Sequence, residues 1–144
     1  MFLESPNQTE KNNATDASGP ATILLVEDEE RVREVMELTL SLSGYHVLST
    51  ESALKALEII ENYDGVIQLM VTDFAMPHMN GADLAARFKR ARPFAKVLYV
   101  SGFPKQDVQY FHDKYERVAL EFLQKPFTPE ALEIKVYHLL QDTA

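Results

Sequence analysis

Residues 71–81 read VTDFAMPHMNG, and the rest of the chain takes its meaning from this stretch. An apolar run that includes Ile67, Leu69, Met70 and Val71 ends abruptly in the carboxylate of Asp73. Met76-Pro77 then breaks regular structure, because proline lacks an N–H and biases its predecessor away from the helical region. Asp73 is therefore expected at the carboxyl end of a short interior strand, the edge at which open parallel sheets bind ligands. Gly81 supplies either a permissive backbone or a close approach before the next helix.

Aspartate is a common turn former, so Asp73 gains significance only from the other strand ends. Glu27-Asp28 follows ILLV, Ser101-Gly102 follows VLYV, and Lys125-Pro126-Phe127 comes after ALEFL. Four apolar runs thus end in carboxylates, a hydroxyl and an ammonium. Those are the parts of a phosphoryl-transfer site with a metal.

The chain has 144 residues, enough for one domain with a sizeable core and too few for two ordinary ones. Its net charge of -8 argues against a nucleic-acid surface, which needs a basic patch to meet phosphates. With no cysteine, disulfides, thiolate zinc sites and thiol nucleophiles are excluded. No apolar run approaches the roughly 20 residues needed to span a bilayer, and no signal-peptide core is present, so no membrane association and a cytoplasmic location are expected.

Residues 1–20 are polar, end in Gly19-Pro20 and show no apolar periodicity, which marks a disordered tail or linker ahead of a domain at 21–142. Thr22 to Val26 reads as a first strand covered on both faces, as in a parallel α/β sheet. Val32, Val35, Met36 and Leu42 form the expected core stripe of the first helix, which Ser43-Gly44 stops. Tyr45 to Thr50 gives a second strand nearer an edge, and Ala53, Ala56, Leu57 and Ile60 a helix laid on a sheet. Leu84, Ala85 and Phe88 mark a third helix, with Lys89, Arg90 and Arg92 complementing its negative end. Lys96 to Val100 is a fourth strand, Phe103 to Tyr115 a short adjustable helix with Val108, Phe111 and Tyr115 inward, and Ala119 to Leu123 a fifth strand. A last helix opens at Thr128-Pro129-Glu130 and buries Leu132, Val136, Leu139 and Leu140.

Five strands alternating with five helices predict a doubly wound α/β domain, helices on both faces, with the flavodoxin-like order 2-1-3-4-5. That order makes strands 1 and 3 neighbours at the switch point, so Asp28 and Asp73 should meet.

From about Thr22 to Gln141 the chain resembles a response-regulator receiver domain, the phosphoacceptor module of two-component signalling. The acidic pair, the D-x-x-M-P-x-M-x-G run from Asp73, the Ser-Gly after strand 4 and the K-P-F after strand 5 occur in order and are specific jointly. The resemblance implies that Asp73 accepts phosphate from a sensor histidine kinase, a histidine phosphotransfer protein or a small phosphodonor. It implies Mg²⁺ held by Asp28, by Asp73, by the backbone carbonyl of Ala75 and, through water or at longer range, by Glu27. Lys125 would pair with the phosphoryl oxygens and Ser101 would offer them its hydroxyl. Phe122 occupies the switch-aromatic position, so that Ser101 and Phe122 together would alter the face of helix 4, strand 5 and helix 5, a face that also leaves room for a homodimer. The protein would then be a signalling phosphoacceptor, an enzyme only toward its own phosphoryl group.

Glu27 stands where aspartate is commoner. Ala75 and Phe103, at positions that tune phosphate loss in the family, offer no group to orient water, so slow autodephosphorylation is expected. His78 is expected to be a solvent-facing loop residue. A haloacid-dehalogenase-like phosphatase would need a second Asp where Ala75 stands, and an unphosphorylated interaction module would not need every charged position kept. The run MPHMNG followed by RPFAKVLYVSGF resembles receivers of hybrid sensor kinases, and a free-standing regulator is the equal alternative; no output domain is expected after the last helix.

Overall fold

Short apolar runs, each followed by an amphipathic helix, produce ten elements among the described residues, which in this computed structural model are 19–115 and 119–141. They are β1 Thr22–Val26, α1 Glu30–Leu42, β2 His46–Thr50, α2 Ala53–Asn62, β3 Leu69–Asp73, α3 Gly81–Ala91, β4 Lys96–Ser101, α4 Lys105–His112, β5 Phe122–Gln124 and α5 Pro129–Gln141. All but the last two positions of the expected 1–20 tail lie outside the described residues.

The strands form one parallel sheet in the order β2-β1-β3-β4-β5, as the sequence predicts. Side chains alternate across it. Ile23, Leu25, Leu69, Val71, Leu98 and Val100 meet Met36 and Leu40 of α1 and Leu132, Val136 and Leu139 of α5. Leu24, Val26, Met70 and Tyr99 face the other way, onto Ala56 and Ile60 of α2, Leu84 and Phe88 of α3 and Val108 of α4. Both faces of the three central strands are covered, which is why they read as unbroken apolar runs.

Local caps fix where the helices start. Ser52 accepts the N–H of Lys55 at 3.1 Å, Asn80 that of Asp83 at 2.8 Å, and Thr128 that of Ala131 at 3.1 Å. The basic residues at the end of α3 do more than face their own helix end. Arg92 donates to the carbonyls of Ile60, Tyr63 and Gly65, so its guanidinium closes the C-terminus of α2. Lys89 likewise donates to the carbonyls of Pro93 and Ala95.

Three expectations are corrected. The buried stripe of α1 runs through Met36 and Leu40, while Val35 and Leu42 are exposed, because residues four apart share the face that meets the sheet. In α4 Phe111 packs inward with Val108 as expected, but the third inward residue is His112, whose ring meets Tyr99 edge-on with Nδ1 3.2 Å from the tyrosine oxygen, while Tyr115 is half exposed. The paired part of the fifth strand is only Phe122–Gln124. Leu120 packs on the core and Ala119 is exposed, and neither joins the ladder, which reaches back only to the bond from Tyr99 N–H to Glu121 O.

Candidate functional site

Register brings the site together. Pairing of Val26 with Thr72 sets Glu27 beside Asp73, and pairing of Asp73 with Val100 sets Ser101 one step beyond. Pairing of Ser101 with Gln124, continued by a bond from Lys125 N–H to Ser101 O at 2.8 Å, delivers Lys125 to the same rim. The Lys125–Pro126 peptide bond is cis.

At this rim Glu27, Asp28 and Asp73 each offer a carboxylate oxygen, all within 4.8 Å of one another. Glu27 is wholly buried and Asp73 is 7% exposed, whereas Asp28 faces solvent. The Lys125 ammonium lies 3.0 Å from Glu27 Oε1 and 3.5 Å from Asp73 Oδ2. Glu27 Oε2 accepts the N–H of Glu29, while Oε1 is buried and receives no well-aligned hydrogen bond despite its ion pair.

Burial, with the charges of Glu27 and Asp28 adding to it and Lys125 opposing, pushes the Asp73 carboxyl up to about 6. Burial acts to lower the Lys125 ammonium, yet its bond to Glu27 and the charges of Asp73 and Glu27 prevail and hold it above the ordinary lysine value. Two buried carboxylates and a third at the entrance share one cation, so negative charge is in excess. A hard divalent cation with oxygen ligands fits that donor set, because three carboxylates face a single ammonium.

The loop after β3 holds Asp73 in place through its backbone. Gly81 N–H bonds to Phe74 O at 2.6 Å, and a Cβ at Gly81 would stand 2.7 Å from Asp73 O. Gly81 is thus present for close approach. Ala75 is exposed in this loop, and Met76 and Met79 pack onto the core below it. His78 is exposed with φ 74°, outside the acidic cluster, as expected of a loop residue.

Ser101 is buried, and its Oγ accepts the N–H of Phe103 at 2.9 Å, which leaves its O–H available to donate. A Cβ at Gly102 would meet open space. Phe122 is half-buried against the cluster beneath α2, α3 and α4. Phe74, directly after Asp73, is buried edge-on to Tyr99 and Phe103 and tilted against Phe111 of α4. The predicted residues Glu27, Asp28, Asp73 and Lys125 converge, and Ser101 lies beside them. Sequence reasoning missed the preference of Lys125 for Glu27 and the aromatic contacts of Phe74, since neither leaves a periodic signal.

Fold and rim together define a class: flavodoxin-like domains that gather an acidic cluster, a lysine and a hydroxyl at the switch point of a parallel sheet. The chain belongs to the response regulator receiver domain family, whose model matches residues 23–137. It is 37% identical over 133 residues to the sensor kinase CckA of Brucella abortus, covering 89% of this chain and 13% of the kinase. It is 32% identical over 121 residues to a cyclic di-GMP phosphodiesterase of Thermotoga maritima, covering 84% of this chain and 31% of that protein. The chain therefore spans well under half the length of these relatives. Among solved structures, a CheY-like receiver from Methanospirillum hungatei superposes with TM-score 0.78 at 26% identity, covering 87% of this chain and 97% of that one. The receiver of the hybrid histidine kinase CckA gives 0.70 at 31% identity, covering 84% and 100%. The chain is accordingly a receiver domain of the two-component type, and no helix among the described residues is long and apolar enough to cross a membrane.

Proposed function

We propose that Asp73 is the phosphoacceptor of this receiver and that its donor is a sensor histidine kinase or histidine phosphotransfer protein. The observation that carries the reading is the Lys125 ammonium held between Glu27 and Asp73 within the acidic cluster. An Asp73 carboxylate oxygen attacks the phosphorus of phosphohistidine. The O–P bond forms as the P–N bond breaks, and the imidazole leaves with the electron pair and takes up a proton. Lys125 turns from carboxylate to phosphoryl oxygens, a shift favoured because the transferred group brings more negative charge than Asp73 loses. The Ser101 hydroxyl donates to another of these oxygens. An apolar cleft of about 610 Å³, lined by Val32, Val35, Met36, Pro126 and Phe127, opens beside Lys125 and leaves room for a protein donor.

Mg²⁺, when bound, neutralises the crowded carboxylates and the arriving phosphoryl group; Asp28, Asp73 and the Ala75 carbonyl would hold it, with Glu27 acting through water. Ser101 drawn toward the phosphoryl group vacates space for Phe122, and the face of α4, β5 and α5 changes for a partner or a second copy. The setting is the cytoplasm, with residues 1–20 a tail or linker ahead of the domain at 21–142. Ala75 in the loop speaks against a phosphatase with an aspartate acid at that position.

Incubation with acetyl phosphate and Mg²⁺ should add the mass of one phosphoryl group, and Asp73→Asn should abolish the gain. A wild-type protein that gains nothing from acetyl phosphate or a phosphorylated kinase would be an interaction module with an idle site.

A further inference from the structure

Gln124 closes β5 one residue before Lys125, and its side-chain amide faces the loop that carries Ser101. Nε2 lies 3.2 Å from the carbonyl of Ser101, 3.1 Å from that of Gly102, and 3.4 Å from those of Phe103 and Lys125. A primary amide has two N–H donors. Four acceptors in reach of two donors mean that the amide serves at most two at once and can exchange among the rest. The backbone bond from Lys125 N–H to Ser101 O ties the start of this loop to the end of β5.

We propose that Gln124 is a positioning residue for phosphoryl acceptance, a sliding clasp between the Ser101–Gly102–Phe103 loop and the strand end that bears Lys125. The proposal rests on the reading of Asp73 as phosphoacceptor. As Ser101 moves toward the phosphoryl group, its loop shifts past the end of β5. The amide passes from one carbonyl to the next, so the shift strands neither donor. Without the amide Gly102 and Phe103 lose their side-chain tie to β5, and the hydroxyl is delivered less often to its working position. Gln124 is exposed, so water competes for these bonds and the effect is modest.

The test compares Gln124→Leu, Gln124→Glu and Gln124→Lys in the full chain, reading the rate of phosphoryl uptake from acetyl phosphate with Mg²⁺ and, separately, thermal stability. Gln124→Leu keeps the bulk without the donors and should slow uptake about three- to tenfold, the scale of one or two exposed hydrogen bonds. Gln124→Glu, which points a carboxylate at four carbonyl oxygens, should be slower still, and Gln124→Lys, which restores N–H donors, should recover most of the rate. In a Ser101→Ala background the Leu substitution should cost less than in the wild type, because the clasp acts through that hydroxyl. A wild-type rate in Gln124→Leu, a loss that persists undiminished without the Ser101 hydroxyl, or a loss that merely follows the melting temperature would overturn the proposal. Failure of the wild type to take up phosphate would instead overturn the Asp73 reading, and this one with it.

Discussion

The Lys125 ammonium lies 3.0 Å from Glu27 Oε1, closer than its 3.5 Å approach to Asp73, and Glu27 has no exposed surface at all. Lysine is thus parked on the deeper carboxylate and leaves Asp73 the more accessible of the two. Removing one partner of a buried pair leaves the other charge uncompensated. Lys125→Ala should cost about 3 kcal/mol in urea denaturation, while Glu27→Gln, which deletes the buried charge itself, should cost less. Equal losses in the two variants would show that Glu27 is stabilised by something other than the lysine.

The raised carboxyl of Asp73 sets a pH dependence. Its pKa of about 6 in the fold exceeds the ordinary value of 3.8, so the protonated form favours the folded state. Stability from this group is complete below the unfolded value and is lost as pH rises through 6. Without Mg²⁺, Asp73→Asn should therefore stabilise the protein at pH 7.5, by up to about 3 kcal/mol, and should flatten the slope between the two values. Mg²⁺ should stabilise the wild type more than this variant, and its binding should weaken below pH 6 as the carboxyl takes up a proton. Calorimetry across pH, with and without the ion, checks all three.

A methyl group at position 81 has nowhere to go, since its nearest neighbours would be backbone atoms of Asp73 and Phe74. Gly81→Ala should lower stability by about 1–3 kcal/mol through overpacking. Because the strain falls on the strand end that presents Asp73, phosphoryl uptake should fall as well. An alanine variant with unchanged melting temperature and rate would mean that the loop yields freely.

Arg92 supplies the converse case, a residue important to the fold and remote from the rim. Arg92→Ala frees three carbonyls and should cost about 1–3 kcal/mol. Arg92→Lys should recover only part of that, because one ammonium cannot reproduce the planar fork. Phosphoryl uptake, measured where both variants are folded, should stay at the wild-type rate.

Once formed, the acyl phosphate should be long-lived. Ala75 has no amide or carboxylate, and Phe103 turns an aromatic edge toward Phe74 instead of a polar group toward water. The half-life with Mg²⁺ should be minutes or longer, and Ala75→Asn should shorten it by roughly tenfold by orienting the attacking water. A lifetime of seconds in the unmodified chain would refute this.

The fold was legible because the buried central strands leave unbroken apolar runs that end in polar residues, and the order of those ends is also the order of the site. Glu27, Asp28, Asp73, Ser101 and Lys125 each follow an apolar run, so their shared position at strand ends flags them jointly. What escaped has a common cause. Leu40 replaced Leu42 in the α1 stripe because apolar spacing there admits two faces, and β5 shrank because Leu120 before it packs on the core without pairing. Arg92 reaches back to α2, and Gln124 reaches across to the β4–α4 loop; a long side chain whose partners are distant backbone carbonyls has no local signature.

The edge-on stacking of Phe103 on Phe74 has a practical consequence. The chain contains no tryptophan, so an indole placed at Phe103, which is half exposed, would be its sole long-wavelength emitter. It would sit one ring away from the residue that follows Asp73, and its fluorescence would report events at the rim in real time, without label or chromatography.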